Sequence, residues 1–301
     1  MMKTQAAAMA AVPKLFKIQN SGVYLSGPGG FNYPDILKYL DDQDPSIRVA
    51  AAKALKPYVH YSEVRHKLMA LAENRAELYS TRAQAIKTLS LALEFDGSRF
   101  GSGKVRERIF KMSFSNNAPE DINIRALAAK ALFDLKDQKT WEEIIAAAKS
   151  PDYPLEVRKA ATWALFGAFG GPAHNMARQA LLDLAADKDY PVFLRMEALK
   201  SLFSWMVFFD VYPKVVKLAG DHSEDDRLRL IAFLALRPVS HFDDVHRFLV
   251  QTADTDSDDP DQLFFRWAAI TALNPHLDLE TARFFHLRAY GATAIDPLEP
   301  E

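Results

Sequence analysis

A nine-residue pattern repeats seven times along this chain, and nothing else in the sequence limits the fold as strongly. Each copy runs apolar residue (once threonine), arginine, two residues, alanine, two residues, small residue, leucine. Examples are IRVAAAKAL (Ile47–Leu55), TRAQAIKTL (Thr81–Leu89) and FRWAAITAL (Phe265–Leu273). The arginines are Arg48, Arg82, Arg125, Arg158, Arg195, Arg229 and Arg266. They lie 33 to 37 residues apart, except for a gap of 43 between Arg82 and Arg125 that holds the Gly-rich insertion GSRFGSG. Positions i, i+4, i+7 and i+8 of each copy fall on one face of an α-helix. The small residues there let another helix approach closely, and the leucine supplies buried volume. So narrow a face cannot form a core alone, so the copies must stack on one another.

A second apolar set at helical spacing precedes each copy: Ile36, Leu37 and Leu40; Ile144, Ile145 and Ala148; Leu181, Leu182 and Ala185. Turns rich in Asp and Pro separate the two, such as Asp44-Pro45 and Asp189-Tyr190-Pro191. Such residues stop one helix and cap the next. The chain therefore reads as all-α, a succession of helix pairs.

This pattern resembles the HEAT-repeat family from about Tyr33 to Leu279. The resemblance implies a right-handed α-α superhelix of about seven repeats. We assign residues 33–290 to this solenoid, with Thr281–Tyr290 (TARFFHLRAY) as a closing helix. Residues 1–32 read as a partly disordered leader rather than a signal peptide, because the run Ala6–Val12 is mostly alanine. Residues 291–301 read as a disordered acidic tail. The resemblance also implies that the seven arginines form a structural ladder, each pairing with an acid of its own or the neighbouring turn. Asp44, Glu77, Asp121, Asp152, Asp189, Asp225 and Asp261 stand close enough in sequence to serve.

The position five after each arginine lies away from the buried stripe and should face solvent. It holds Lys53, Lys87, Lys130, Trp163, Lys200, Leu234 and Thr271. In HEAT-like stacks these second helices line the concave face, so Lys53, Lys87, Lys130, Trp163 and Lys200 form a candidate partner-binding stripe. A basic groove with an aromatic centre suits an acidic peptide or a phosphate backbone. Residues 1–150 carry 22 Lys/Arg and 16 Asp/Glu, a net of +6; residues 151–301 carry 15 and 23, a net of −8. Arg99, Lys104, Arg106 and Arg108 gather at the Gly-rich insertion and form a second candidate, a loop site. The stretch Leu202–Tyr212 holds Phe203, Trp205, Phe208, Phe209 and Tyr212; as a helix it would be apolar nearly all round. We read it mainly as core, with Trp205 and Phe209 the residues to test.

Several chemistries find no residues here. The chain has no cysteine, which removes disulfides and thiolate chemistry. No two of its eight histidines share a metal-binding spacing, and no nucleophile elbow or phosphate loop occurs. The acidic turn DTDSDDPDQLFF lacks the glycine and terminal glutamate of a calcium loop. No segment is apolar for long enough to span a membrane. We therefore expect no catalytic residue, metal or cofactor. The leading reading is a scaffold or adaptor that binds another protein, with an acidic segment as the favoured target. The net charge of −2 argues against nucleic acid. Two alternatives follow from the resemblance: a nucleic-acid binder like the HEAT-like DNA glycosylases, which the lysine column and Trp163 also support, and a lyase handling a cofactor like the bilin lyases. The expected compartment is the cytoplasm, although a cysteine-free chain suits the periplasm equally. The sequence leaves the oligomeric state open.

Overall fold

A computed structural model describes residues 33–93, 102–114, 121–132, 138–171, 173–255 and 260–274. Through them the chain forms successive helix pairs. The first is α1 (Tyr33–Leu37), which runs on into a 3-10 turn at Lys38–Asp41, with α2 (Pro45–Ala54). Next come α3 (Ser62–Glu73) with α4 (Tyr79–Ser90), and α5 (Ser102–Phe114) with α6 (Ile122–Ala131). Then follow α7 (Gln138–Lys149) with α8 (Leu155–Ala164), and α9 (His174–Ala186) with α10 (Val192–Ser201). The series closes with α11 (Tyr212–Gly220) and α12 (Asp226–Ala235), then α13 (Asp243–Ala253) and α14 (Pro260–Leu273). No strand occurs among the described residues. The leader, the tail and Thr281–Tyr290 lie outside them.

Every copy of the arginine pattern is the second, even-numbered helix of a pair. Neighbouring even-numbered helices pack along one another through the whole array, while neighbouring odd-numbered ones touch sparingly. The alanines at i+4 explain this. Ala51, Ala85, Ala128, Ala161, Ala198, Ala232 and Ala269 are fully buried and allow the close approach. Leu55, Leu89, Leu132, Leu165, Leu202 and Leu236 are buried beside them, each contributing about 1.5–3 kcal/mol of hydrophobic stabilisation. A stack with one layer spaced more closely than the other bends toward the closer layer. The even-numbered helices therefore form its inner side. The last described pair shows what stacking covers: Met196 and Leu230 are buried, but Trp267 of α14 at the same register is 58% exposed.

The ladder arginines pair with acids at Arg48, Arg195 and Arg229, and do more than the resemblance implied. Their first partners are backbone carbonyls, not acids. The Nε groups of Arg82, Arg158, Arg195 and Arg229 donate to the carbonyls of Ala72 (2.8 Å), Ala148 (3.1 Å), Ala185 (3.0 Å) and Ala219 (3.2 Å). Arg125 Nε donates likewise to Ser113 (3.1 Å), and Arg48 Nη1 to Asp42 (2.6 Å) and Gln43 (3.1 Å). For the first five, these are end-of-helix carbonyls of the odd-numbered partner, which have no donor within their own helix and carry the negative end of its dipole. One cation thus caps the first helix and fixes the second helix against it.

The far end of the guanidinium reaches the next pair, at the residue five before the following arginine. Arg48 meets Glu77 at 2.5 Å, and Arg195 holds both oxygens of Glu224 at 2.8 Å. Arg125 and Arg158 lie over the rings of Tyr153 and Tyr190, 6.0 and 5.7 Å from the centroids. Arg229 instead covers Phe265 at 3.9 Å and meets Asp226 at 3.2 Å. Arg266 is half-buried. Of the acids expected as partners, Glu77 is the one shown to serve among the described residues. Asp44, Asp121 and Asp225 cap their helices, accepting from the backbone N–H of Ser46, Asn123 and Arg227. Asp152 accepts from the Ser150 hydroxyl, Asp189 is exposed, and the side chain of Asp261 lies outside the described residues. The acids sit in turns where capping needs them, which sequence proximity cannot distinguish from pairing.

The hydrogen bonds from Arg195 hold the Glu224 carboxyl below the usual carboxylate range, against the opposing effect of its burial. For Glu77 burial pushes upward, but the bond and charge of Arg48 together with bonds from the Leu78 backbone N–H and Thr81 outweigh it, so it too lies low. A carboxyl whose folded pKa is depressed adds stability in full above its unfolded value of about 4.3, and loses it as pH falls through the folded value. Thermal denaturation between about pH 5 and pH 3 should therefore fall more steeply for the native chain than for Glu224→Gln. Arg195→Leu should cost about 3–5 kcal/mol in chemical denaturation, because it strands Glu224 buried and unpaired.

Candidate interaction surface

Lys53 on α2, Lys87 on α4 and Lys130 on α6 stand exposed at one register of the inner helices. Trp163 holds that register on α8 and is partly buried; the Lys130 ammonium lies 5.6 Å from its ring centroid. Lys200 on α10 is half-buried, with its ammonium 3.4 Å from the Glu197 carboxylate. One turn beyond Trp163 and Lys200 come Phe166, half-buried, and Phe203, exposed. The face is therefore basic over the first three pairs and aromatic over the fourth and fifth. Further along, the register turns inward. Leu234 is half-buried, and Thr271 is buried with its hydroxyl donating to the Trp267 carbonyl at 2.8 Å. The expectation of a solvent-facing position fails at Thr271, because a short side chain bonded to its own helix cannot reach out as lysine does.

The loop site does not form as expected. Lys104, Arg106 and Arg108 belong to α5, whose apolar face buries Val105, Ile109 and Met112. Arg108 clamps Glu73 of α3, with Nε 2.8 Å from one carboxylate oxygen and a guanidinium nitrogen on the other. The glycines suggested a loop, yet Ser102 begins the helix. Arg99 lies outside the described residues.

The aromatic stretch 202–212 is not one helix. It divides between the end of α10, a 3-10 turn at Phe203–Trp205, further turns and the start of α11. Trp205 is fully buried, with Phe166 and Phe169 edge-on to its ring at 6.2 and 5.2 Å. Phe209 is 80% exposed. Phe169, Phe203 and Val207 are exposed as well, while Phe209 lies 6.0 and 6.5 Å from the rings of Tyr212 and Phe242. His174 packs beside Trp205 at 5.7 Å, and its Nδ1 accepts from the backbone N–H of Gly170 at 2.9 Å. Gly170 has φ +74°, a conformation that favours glycine at this turn. Burial, then the nearby Arg178, push the His174 pKa down despite Asp210, which favours the neutral ring that this bond requires.

The family described as HEAT repeats matches residues 117–203, a span covering α6 through α10. Within that span the chain carries HEAT repeats. No curated protein matches its sequence significantly. Among solved structures, human deoxyhypusine hydroxylase in complex with glycerol is similar over 88% of this chain and 89% of its own. The identity is 17% and the TM-score 0.36. The complex of CpcE and CpcF of phycocyanin lyase from Nostoc sp. PCC7120 is similar over 89% of this chain and 97% of that one. The identity is 18% and the TM-score 0.42. Among the described residues no helix is long and apolar enough to cross a membrane.

Burial separates the two aromatic residues singled out for testing. Trp205→Ala should lower stability by about 3–5 kcal/mol, the cost of emptying a large core site. Phe209→Ser should change it by less than about 0.5 kcal/mol. Urea denaturation of both variants checks this.

Proposed function

We propose that this HEAT-repeat solenoid is a non-catalytic binding module that holds an acidic segment of a partner protein along its even-numbered helices. The observation that carries this reading is the alignment of Lys53, Lys87 and Lys130, all exposed at one register on three successive helices. An array that curves around such a row offers a long surface of one charge sign, which attracts an acidic ligand and fixes its line of approach. The neighbouring Trp163 supplies an apolar body at the end of the row. Nucleic acid is the poorer ligand, because the chain as a whole carries −2 and its second half −8.

Peptide selection tests the reading without a known partner. A random-peptide library is selected on the native protein and on the Lys53→Glu, Lys87→Glu, Lys130→Glu triple variant. Peptides rich in Asp and Glu should be enriched on the native protein and lost on the variant. The same pool on both proteins, or a basic pool on the native one, would contradict it.

A further inference from the structure

The placement of the basic and aromatic side chains says more about the ligand than its charge. Packed helices lie about 8–10 Å apart. One register on successive even-numbered helices therefore repeats at that interval, from Lys53 to Lys87 to Lys130 to Trp163. An extended chain in the polyproline II form advances about 3.1 Å per residue and returns to the same face every third residue, so three residues cover one interval and present one face to the row. A helical ligand rises only about 1.5 Å per residue and returns to the same face every seven residues, about 10.5 Å, which lies beyond the 8–10 Å interval. The aromatic side chains then follow the lysines in one direction only. Trp163 and Phe166 belong to the fourth pair, and Phe203 follows the inner helix of the fifth.

We propose that the site reads an extended peptide with acidic residues three apart, followed at the same step by large apolar residues. Lys53, Lys87 and Lys130 take the acids in turn; Trp163, Phe166 and Phe203 take the apolar end. This rests on the reading of the face as an acidic-segment site and adds a register and a polarity to it. The polarity has a physical basis. The acidic block would lose its lysines if the peptide lay the other way round, and its carboxylates would be brought against aromatic faces, which carry negative charge density.

The test uses three labelled peptides of identical composition and the full-length protein, read by fluorescence anisotropy. The first has glutamates three residues apart, then leucine and phenylalanine at the same step. The second groups the glutamates side by side. The third keeps the three-residue step but mixes acidic and apolar positions. The stepped and ordered peptide, or its exact reverse sequence, should bind about tenfold more tightly than the other two, three aligned charge pairs being worth roughly one decade. Lys87→Glu, which loses one of the three pairs and adds one like-charge contact, should weaken binding about fivefold, and exchanging the peptide's middle glutamate for lysine should restore it. Lys87 is exposed, and the thermal melt of Lys87→Ala checks that the fold is kept. Equal binding of all three peptides, lost together in the Lys53, Lys87, Lys130→Glu variant, would overturn the register and leave the acidic-segment reading standing. Binding unaffected by that variant, or no binding of any peptide, would overturn both. Tighter binding of a single-stranded oligonucleotide than of any peptide would overturn both in favour of a phosphate ligand.

Discussion

Five of the helix pairs carry an arginine, Arg48, Arg125, Arg158, Arg195 or Arg229, that serves two structures at once. Its Nε closes the exposed end of the first helix, where carbonyls and the helix dipole call for a cation. Its outer nitrogens or its planar face then meet the next pair, at Glu77, Tyr153, Tyr190 or Glu224. Arginine fits this double task because its fork bonds in a plane and its face stacks on rings, neither of which lysine can do. The glutamate version is an ion pair, and the tyrosine version a cation–π contact. The clamp keeps its position while its chemistry changes, so the repeat tolerates both.

The clamp also determines where binding groups can stand. The arginines occupy the turn edge of the stack, and the buried alanines hold the even-numbered helices together. Neither demand reaches the position five after the first five arginines, which holds lysine or tryptophan. The same close packing that buries Ala85 and Ala128 sets the interval between Lys87 and Lys130. Core packing thereby rules the spacing of the surface charges.

The helix pairs were legible in the sequence because a 3.6-residue period and a repeated arginine are patterns of the chain itself. So was the exposure of Lys53, Lys87 and Lys130, which follows from where the buried stripe lies. The partners of the arginines were not, because any residue offers a carbonyl and composition does not reveal which one a helix end leaves unbonded. The site of Lys104–Arg108 was misread for a related reason: glycines mark a change of direction without saying where the next helix begins. Trp205 and Phe209 could not be ranked either. Both lie in one aromatic run, and only the turns between α10 and α11 place one ring against Phe169 and the other in solvent.

The most direct measurement of the central claim is zero-length cross-linking of an acidic peptide to the native protein, with the joined lysines mapped by mass spectrometry. A carboxylate captured this way must lie in contact with the ammonium it joins. The account predicts cross-links concentrated on Lys53, Lys87 and Lys130 of the inner helices. Cross-links concentrated on Lys67, Lys214 or Lys217, which stand exposed on odd-numbered helices, would contradict it.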